Sequence, residues 1–148
     1  MAYNFFAPKP GRLGVHPVIL PSGRINTGTL TGGTTQTHNI GSFSAKSYIN
    51  RALVCAEVFP TAATSCNVEV YKMTGATALA LTATGASAPS INTITANTPV
   101  VIPFLATLTD AQRTLTAADS IRVSIVTVGT VTVQPDDLSV NVELLVTE

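Results

Sequence analysis

Histidine is widely used for metal ligation and acid–base catalysis, and this chain has two, His16 and His38. Neither lies in an H-x-x-H spacing, and the sequence offers no convincing set of zinc ligands. There is no G-x-S-x-G nucleophile elbow. A Ser-His-Asp triad stays an alternative only if residues distant in the sequence come together in the fold. The sequence predicts no metal site, no cofactor and no catalytic centre, which indicates a protein that is not an enzyme.

The adjacent carboxylates Asp136 and Asp137 follow Pro135 in QPDDLS. Proline and aspartate favour turns, so we interpret this stretch as a turn, with a calcium site or paired catalytic carboxylates as the alternative. Asp119, in TAADSIRV, is predicted to close a turn before a strand. The glycine-rich run 27–35 has no lysine after its glycines, which argues against a phosphate-binding loop.

The cysteines Cys55 and Cys66 are too few for a disulfide framework in a chain of 148 residues. Alternation places Cys55 on the face opposite to Val54, whereas Cys66 shares a face with Val68. If the two strands form a hairpin with aligned apolar faces, the thiols point to opposite sides and cannot bridge. We therefore expect free thiols. The opening residues also lack the pattern of a signal peptide, so we expect a protein made and kept in the cytosol.

The composition is unusually poor in charge. Only 11% of the residues are charged, and 45% are hydrophobic, while eight basic residues balance eight acidic ones. Little repulsion keeps copies of such a chain apart. The chain has no apolar run of the length needed to cross a membrane, so we expect other protein, not membrane, to cover much of its surface.

The charges are unevenly placed along the chain. Residues 1–56 carry five basic residues and no acidic one, and residues 57–148 carry three basic and eight acidic residues. Complementary charge of this kind suits an arm that lies on a neighbouring copy or on an acidic lattice. The alternative is that the charges neutralise each other across the surface of one β-domain. Nucleic acid is not an expected partner, because the basic residues are dispersed and lack clustered aromatics.

Alternation with period two is the main structural signal, and it is clearest in LSVNVELLV, residues 138–146. Only TLTDAQR, residues 107–113, looks helical, with Thr109 or Asp110 as its cap. We interpret the Gly- and Thr-rich stretches 27–37 and 82–90 as long loops within the domain. About eight short strands predict an all-β fold, an antiparallel β-sandwich of jelly-roll type with one helical turn. Further strands are predicted at 16–20, 37–43, 48–59, 64–73, 78–84, 90–96, 99–106 and within 114–126.

The first 24 residues, MAYNFFAPKPGRLGVHPVILPSGR, have a different character. They combine aromatic, proline and basic residues without a regular period, so we predict an extended N-terminal arm over 1–24 and a single β-sandwich domain over 25–148. A proline-stiffened arm loses less entropy on docking than a flexible one. Its aromatic residues would fill apolar pockets on a neighbour, and its basic residues would pair with acidic surfaces. The alternative is that Phe5 and Phe6 fold back over an edge strand of their own domain. The predicted docking residues are Tyr3, Phe5, Phe6, Lys9, Arg12 and Arg24.

Two stretches, RALVCAEVFPTAATSCNVEVYKM and the later RTLTAADSIRVSIV, are similar in style to virion jelly-roll proteins. With the arm, the low charge and the abundant Ala and Thr, the chain resembles the capsid decoration (cement) proteins of tailed bacteriophages. The resemblance covers residues 47–146 in pattern only. It implies a virion protein, made in the host cytoplasm, that binds the exterior of the capsid. The implied partners are the major capsid protein and further copies of the chain, in a dimer or trimer that braces capsomer junctions. The alternative is a carbohydrate- or receptor-binding β-sandwich module of a phage tail or fibre, although the chain has no tryptophan for sugar stacking.

Overall fold

The computed structural model describes residues 16–21, 29–42, 46–62, 64–92, 94 and 97–146. These residues form two main antiparallel β-sheets and a separate two-stranded sheet around one hydrophobic core, so the predicted all-β sandwich is confirmed. The strands are β1 (His16–Pro21), β2 (Thr35–Ser42), β3 (Ser47–Cys55), β4 (Thr61–Ala62), β5 (Ser65–Thr74), β6 (Thr77–Ala80), β7 (Val100–Ile102), β8 (Thr114–Leu115), β9 (Asp119–Val128), β10 (Val131–Val133) and β11 (Ser139–Val146). A 3₁₀ turn spans Gly85–Ser87, and the helix α1 spans Asp110–Arg113.

The five-stranded sheet has the order β1-β11-β3-β7, with β8 also paired to β3. The four-stranded sheet has the order β2-β9-β5-β6, and β4 pairs with β10 separately. Most neighbouring strands are far apart in the chain: β11 lies between β1 and β3, and β9 lies between β2 and β5. The two sheets therefore assemble only when early and late parts of the chain meet.

The core follows from the alternation of side chains along the central strands. In β11, Val140, Val142 and Leu144 are buried, as the pattern of LSVNVELLV predicts. Strands β5 and β9 contribute the facing layer from the other sheet. Each such side chain stabilises the fold by roughly 1.5–3 kcal/mol relative to an exposed position. The fully buried members of that facing layer are Cys66, Val68, Val70, Ile121, Val123 and Ile125.

The predicted strand at 90–96 is wrong. Among its described residues, only Ser90 makes a bridge, to Asn67 in β5. After Ser90 the chain bends back on itself, with the Ile94 N–H donating to the Ile91 carbonyl at 3.5 Å. Before it, the chain leaves the sheet edge after β6, where the Thr82 hydroxyl accepts the Val70 N–H. The chain returns where Pro89 accepts a hydrogen bond from the Val68 N–H. The short strands β4 and β10 are additional to the prediction.

The predicted strand at 48–59 ends early, at Cys55. The N–H groups of Glu57 and Val58 both donate to the carbonyl of Asp136, at 2.9 and 3.1 Å. Two residues opposite one form a bulge, which shifts the alternation. Val58 is consequently 38% exposed and Phe59 only 7% exposed, whereas strict alternation from the buried Val54 and Ala56 would bury Val58.

Part of the predicted arm lies in the sandwich. Residues 16–21 form β1, the edge strand of the five-stranded sheet, with Val18 in register with Leu144 of β11. Pro17 and Pro21 fit this position, because an edge strand can dispense with N–H groups on its open side. Residues 1–15 and 22–28 lie outside the described residues.

Both cysteines are free, as predicted, but their strands do not form a hairpin. Cys55 lies half-buried in the five-stranded sheet, and Cys66 lies in the core face of the four-stranded sheet. Burial raises the pKa of the Cys66 thiol, and the Thr127 hydroxyl partly offsets this effect. The Cys66 thiol is therefore a packing group and not an activated nucleophile.

The predicted helical turn is confirmed, with Thr109 as its N-cap in a capping box with Gln112. The predicted turn before β9 is also confirmed: the Asp119 N–H donates to the Thr116 carbonyl at 3.0 Å. At another turn, a Cβ on Gly32 would lie 2.2 Å from the Gly129 carbonyl oxygen, so only glycine fits there.

Candidate functional site

The outer face of the four-stranded sheet carries a cluster of polar side chains. Asn67, Glu69 and Tyr71 alternate with the buried valines of β5 and so face away from the core. The register of β9 places Ser124 opposite Glu69 and Arg122 opposite Tyr71. These five residues are called the outer-face cluster. Asn67, Glu69 and Ser124 are only 3%, 6% and 4% exposed, although they lie outside the sandwich core.

The loop that leaves the sheet after β6 contributes to this burial. The Gly85 N–H donates to Glu69 Oε1 at 2.7 Å, and Asn67 Nδ2 donates to the Gly85 carbonyl at 3.2 Å. Gly85 has a φ of 62°, a left-handed conformation that glycine adopts without strain. Glu69 and Asn67 therefore hold the 3₁₀ turn against the sheet.

Tyr71 and Arg122 form the more open part of the outer-face cluster. The Tyr71 hydroxyl donates to Glu69 Oε2 at 2.5 Å, and the Arg122 guanidinium carbon lies 4.6 Å from the centroid of the Tyr71 ring. Burial, the hydrogen bond to Glu69 and the negative charge of Glu69 raise the pKa of Tyr71 to about 12, with Arg122 acting in the opposite direction. At neutral pH the phenol keeps its proton, so it positions its neighbours and does not act as a base.

Two polar atoms of the outer-face cluster have no hydrogen-bond partner. Arg122 Nε and Asn67 Oδ1 are both buried and unpaired. An unpaired buried donor or acceptor costs about 1–3 kcal/mol. Arg122 Nε therefore has no partner among the described residues, while the guanidinium is oriented by its stacking on Tyr71.

Replacing Tyr71 by phenylalanine should remove a tyrosine titration near pH 12. The fold favours the protonated phenol, so its contribution to stability is complete below pH 10 and is lost as the pH rises through about 12. Absorbance at 295 nm should show one of the three tyrosines titrating near pH 12 in the parent chain and not in Tyr71→Phe. The variant should also lose less stability between pH 10 and 12. Identical titration curves would contradict the assignment.

The outer face of the five-stranded sheet has a different character. Glu143 accepts hydrogen bonds from Asn50 Nδ2 and Arg51 Nε, each at 2.6 Å. These two bonds, more than the charge of Arg51, hold the pKa of Glu143 below its usual value. Beside this pair, Leu53 lies in register with Val101, whose exposed fraction is 51%. This face therefore combines a satisfied ion pair with exposed apolar surface.

The structure does not bring the predicted docking residues into view: Tyr3, Phe5, Phe6, Lys9, Arg12 and Arg24 all lie outside the described residues. His38 lies in β2, where its Nε2 is buried without a partner and burial lowers the pKa of the imidazole. Asp136 forms an antiparallel bridge with Val58 and is therefore not a turn residue, whereas Asp137 lies in a bend with a φ of 52°. Within the described ranges there is no group of three or more His, Cys, Asp or Glu side chains suited to hold a metal ion.

The outer-face cluster was not predicted from the sequence. Its signal is the alternation in CNVEVYKM, which places Asn67, Glu69 and Tyr71 on one face of β5. Arg122 lies opposite Tyr71 because of the register between β5 and β9. No local sequence pattern predicts that register.

Among the described helices, none has the length and apolar character needed to cross a membrane. Comparison of the chain with protein-family models, with curated proteins and with solved structures gave no match.

Proposed function

We propose that the chain is a structural virion protein of jelly-roll type, which binds the outer surface of a phage capsid as a homo-oligomer and stabilises capsomer junctions. The observation that carries this proposal is the strand order. Jelly rolls recur in viral capsid and lectin domains, and their eight strands pair as a long hairpin folded over on itself. The first strand then pairs with the eighth, the second with the seventh, the third with the sixth and the fourth with the fifth.

The strand pairs of this chain follow that scheme when β4 and β10 are set aside and β7 and β8, which both pair with β3, are counted as one strand. β1 pairs with β11, β2 with β9, β3 with β7 and β8, and β5 with β6. The two remaining pairs, β11 with β3 and β9 with β5, join these hairpin pairs into the two sheets. This order supports the jelly-roll assignment, and the capsid role rests in addition on the character of the surface.

The surface supports a role in protein assembly. Several valine and leucine side chains are more than a third exposed, at Val58, Val101, Leu105, Val128 and Val133. Exposed apolar side chains, combined with few charges, favour contact with other protein. The proposed arm would leave the domain from β1. Within the described part of the sheet, β1 is an edge strand, and its open side can pair with a neighbouring protein.

The outer-face cluster favours a second candidate, a carbohydrate- or receptor-binding module of a phage tail or fibre. A tyrosine, an arginine, an asparagine and a carboxylate grouped on one sheet face are polar groups of the kind that bind sugars. Against it, Arg122 already covers the Tyr71 ring, the surface on which a sugar would stack. Selective, tight signals on a glycan array would favour this second candidate.

The proposed function is tested by adding the full chain to preassembled phage shells that lack a decoration protein. We expect co-sedimentation with the shells and a higher temperature of shell rupture. Light scattering of the free chain should give the mass of a discrete dimer or trimer. A chain without residues 1–12 should lose attachment while its domain keeps its stability. Docking by the arm is wrong if attachment is unchanged and the domain is destabilised.

A further inference from the structure

Arg122 is a half-buried cation on the inner strand β9 that forms no ion pair with another described residue. The ion pairs found there join Arg51 to Glu143 and Lys72 to Asp119, and neither includes Arg122. Its Nε is buried and unpaired, and its guanidinium is held on the Tyr71 ring. Half-buried Met73, in register with Ser120 of β9, lies two residues further along the same face. Arg122, Tyr71 and Met73 are called the basic face.

A complementary surface lies at the bulge that follows β3. Glu57 and Asp136 are exposed there on either side of Val58, whose exposed fraction is 38%. Backbone hydrogen bonds from Glu57 and Val58 to Asp136, and from Asp136 back to Val58, fix these residues. Glu57 and Asp136 form no ion pair with another described residue. Glu57, Val58 and Asp136 are called the acidic corner.

The two surfaces are separate within one copy. No ion pair among the described residues joins Arg122 to Glu57 or Asp136. Arg122 lies in the four-stranded sheet, whereas the acidic corner follows β3 of the five-stranded sheet. A second copy can bring the two kinds of surface together.

The chemistry of the basic face favours a protein carboxylate over other anions. A single guanidinium stacked on an aromatic ring presents a planar fork that matches one carboxylate. A phosphate backbone would need several cations, and the basic face has one, Arg122. The basic face lies on a sheet surface, whereas small-molecule sites are concave. An exposed valine between two carboxylates provides an apolar contact for Met73 and Tyr71 as well as the charge.

We propose that the acidic corner of one copy docks on the basic face of another, with Glu57 or Asp136 pairing with Arg122. This inference rests on the homo-oligomer of the proposed function and names the contact that forms it. Two such contacts, exchanged reciprocally, are compatible with a two-fold dimer, and one contact for each interface is compatible with a closed ring. The charged contact fixes orientation and weakens with salt, while Val58 supplies the apolar contact.

The test is sedimentation velocity of the full chain over a range of concentrations, at low and high salt. Arg122→Glu should weaken self-association at least about tenfold, because like charges then face each other. The double variant Glu57→Arg, Asp136→Arg should weaken it to a similar degree. Combining all three substitutions restores opposite charges and should return the association constant to within a few-fold of that of the parent chain.

Matched controls separate the contact from a general charge effect. Ala117→Glu and Thr107→Arg add the same signs of charge at exposed turns elsewhere and should leave association unchanged. Arg122→Gln and the pair Glu57→Gln, Asp136→Asn should give intermediate losses without a reversed charge. Urea unfolding of each variant checks that the domain is folded.

Each remaining outcome counts against the inference. A parent chain that oligomerises while Arg122→Glu does so equally well overturns the docking contact and leaves the proposed function standing. Loss of shell binding without loss of self-association assigns Arg122 to a carboxylate of the shell and also overturns it. A parent chain that is monomeric at every concentration removes both this contact and the oligomer of the proposed function.

Discussion

Replacing Asp119 by alanine should lower the free energy of unfolding by about 3 kcal/mol. The Asp119 side chain is 3% exposed and lies 3.4 Å from the Lys72 ammonium, whose side chain is 13% exposed. It also accepts hydrogen bonds from the Thr116 N–H at 2.8 Å and from the Thr74 hydroxyl. Removing the carboxylate leaves a largely buried ammonium without its counter-charge and releases the turn before β9. Urea unfolding at neutral pH, followed by circular dichroism, measures the loss.

Two variants control for this effect. Asp119→Asn keeps the shape and one acceptor and should cost about half as much. Combining Asp119→Ala with Lys72→Met removes both charges and should recover part of the loss, because no unpaired charge then remains. A change below about 0.5 kcal/mol for Asp119→Ala would contradict the role assigned to this carboxylate.

The Asp119 carboxylate also makes the free energy of unfolding depend on pH. Burial alone raises the pKa of Asp119, but the hydrogen bonds from Thr74 and Thr116 and the charge of Lys72 outweigh it and hold the pKa below 3.8. The contribution is therefore complete above about pH 4 and is lost as the pH falls through the lowered folded value. The parent chain should lose more stability than Asp119→Ala as the pH falls below 4, and the two unfolding curves should converge at the lowest pH.

Much of the sandwich was predictable because half-buried strands carry their own signal. The alternation in β5, β9 and β11 identifies both the strands and their core-facing residues, including Val70, Ile121 and Val142. The cap of α1 was predictable for a similar reason, since Thr109 and Gln112 bond to each other's backbone within one turn. Such features depend on residues that are close in the sequence.

The features that the sequence did not predict depend on distant partners. The bulge after β3 exists because Asp136, 78 residues further along than Val58, accepts from two successive N–H groups. The described part of 90–96 meets β5 only at its start, where Ser90 bridges Asn67 and the Ile91 N–H donates to the Cys66 carbonyl. The outer-face cluster requires Arg122 to lie opposite Tyr71, a register set by the whole four-stranded sheet. The docking role of the arm stays a prediction.

Some polar side chains of this sandwich have all their hydrogen bonds within the chain, and others have an atom without a partner among the described residues. Asp119 and Glu143 are each saturated by partners from other parts of the chain. Arg122 differs, since its guanidinium has a stacking partner and an unpaired Nε. Satisfied buried polar groups mainly specify the fold, whereas an oriented but unpaired cation is suited to recognition. This contrast is the physical reason to place the contact between copies at Arg122.

Replacing Arg113 by alanine should also lower the free energy of unfolding by about 3 kcal/mol, because Arg113 donates hydrogen bonds to two carbonyls at a bulge in β3. The register between β3 and β11 shifts between Glu143 and Leu144, which leaves Asn50 as the extra residue of a bulge. Arg113 Nε donates to the Ile49 carbonyl at 2.9 Å, and Arg113 Nη2 donates to the Asn50 carbonyl. Alanine would leave both carbonyls without these donors.

Stacking adds to the expected loss. The Arg113 guanidinium carbon lies 4.7 Å from the centroid of the Tyr48 ring and 5.4 Å from that of Phe104. Arg113→Lys keeps the charge but cannot bond both carbonyls while stacked, so we expect about half the loss of Arg113→Ala. Arg51→Ala is the matched control, because that side chain is 49% exposed and its ion pair should contribute no more than about 1 kcal/mol. Equal losses for Arg113→Ala and Arg51→Ala would show that Arg113 is an ordinary surface residue, and would remove it as the group that fixes the β3 bulge.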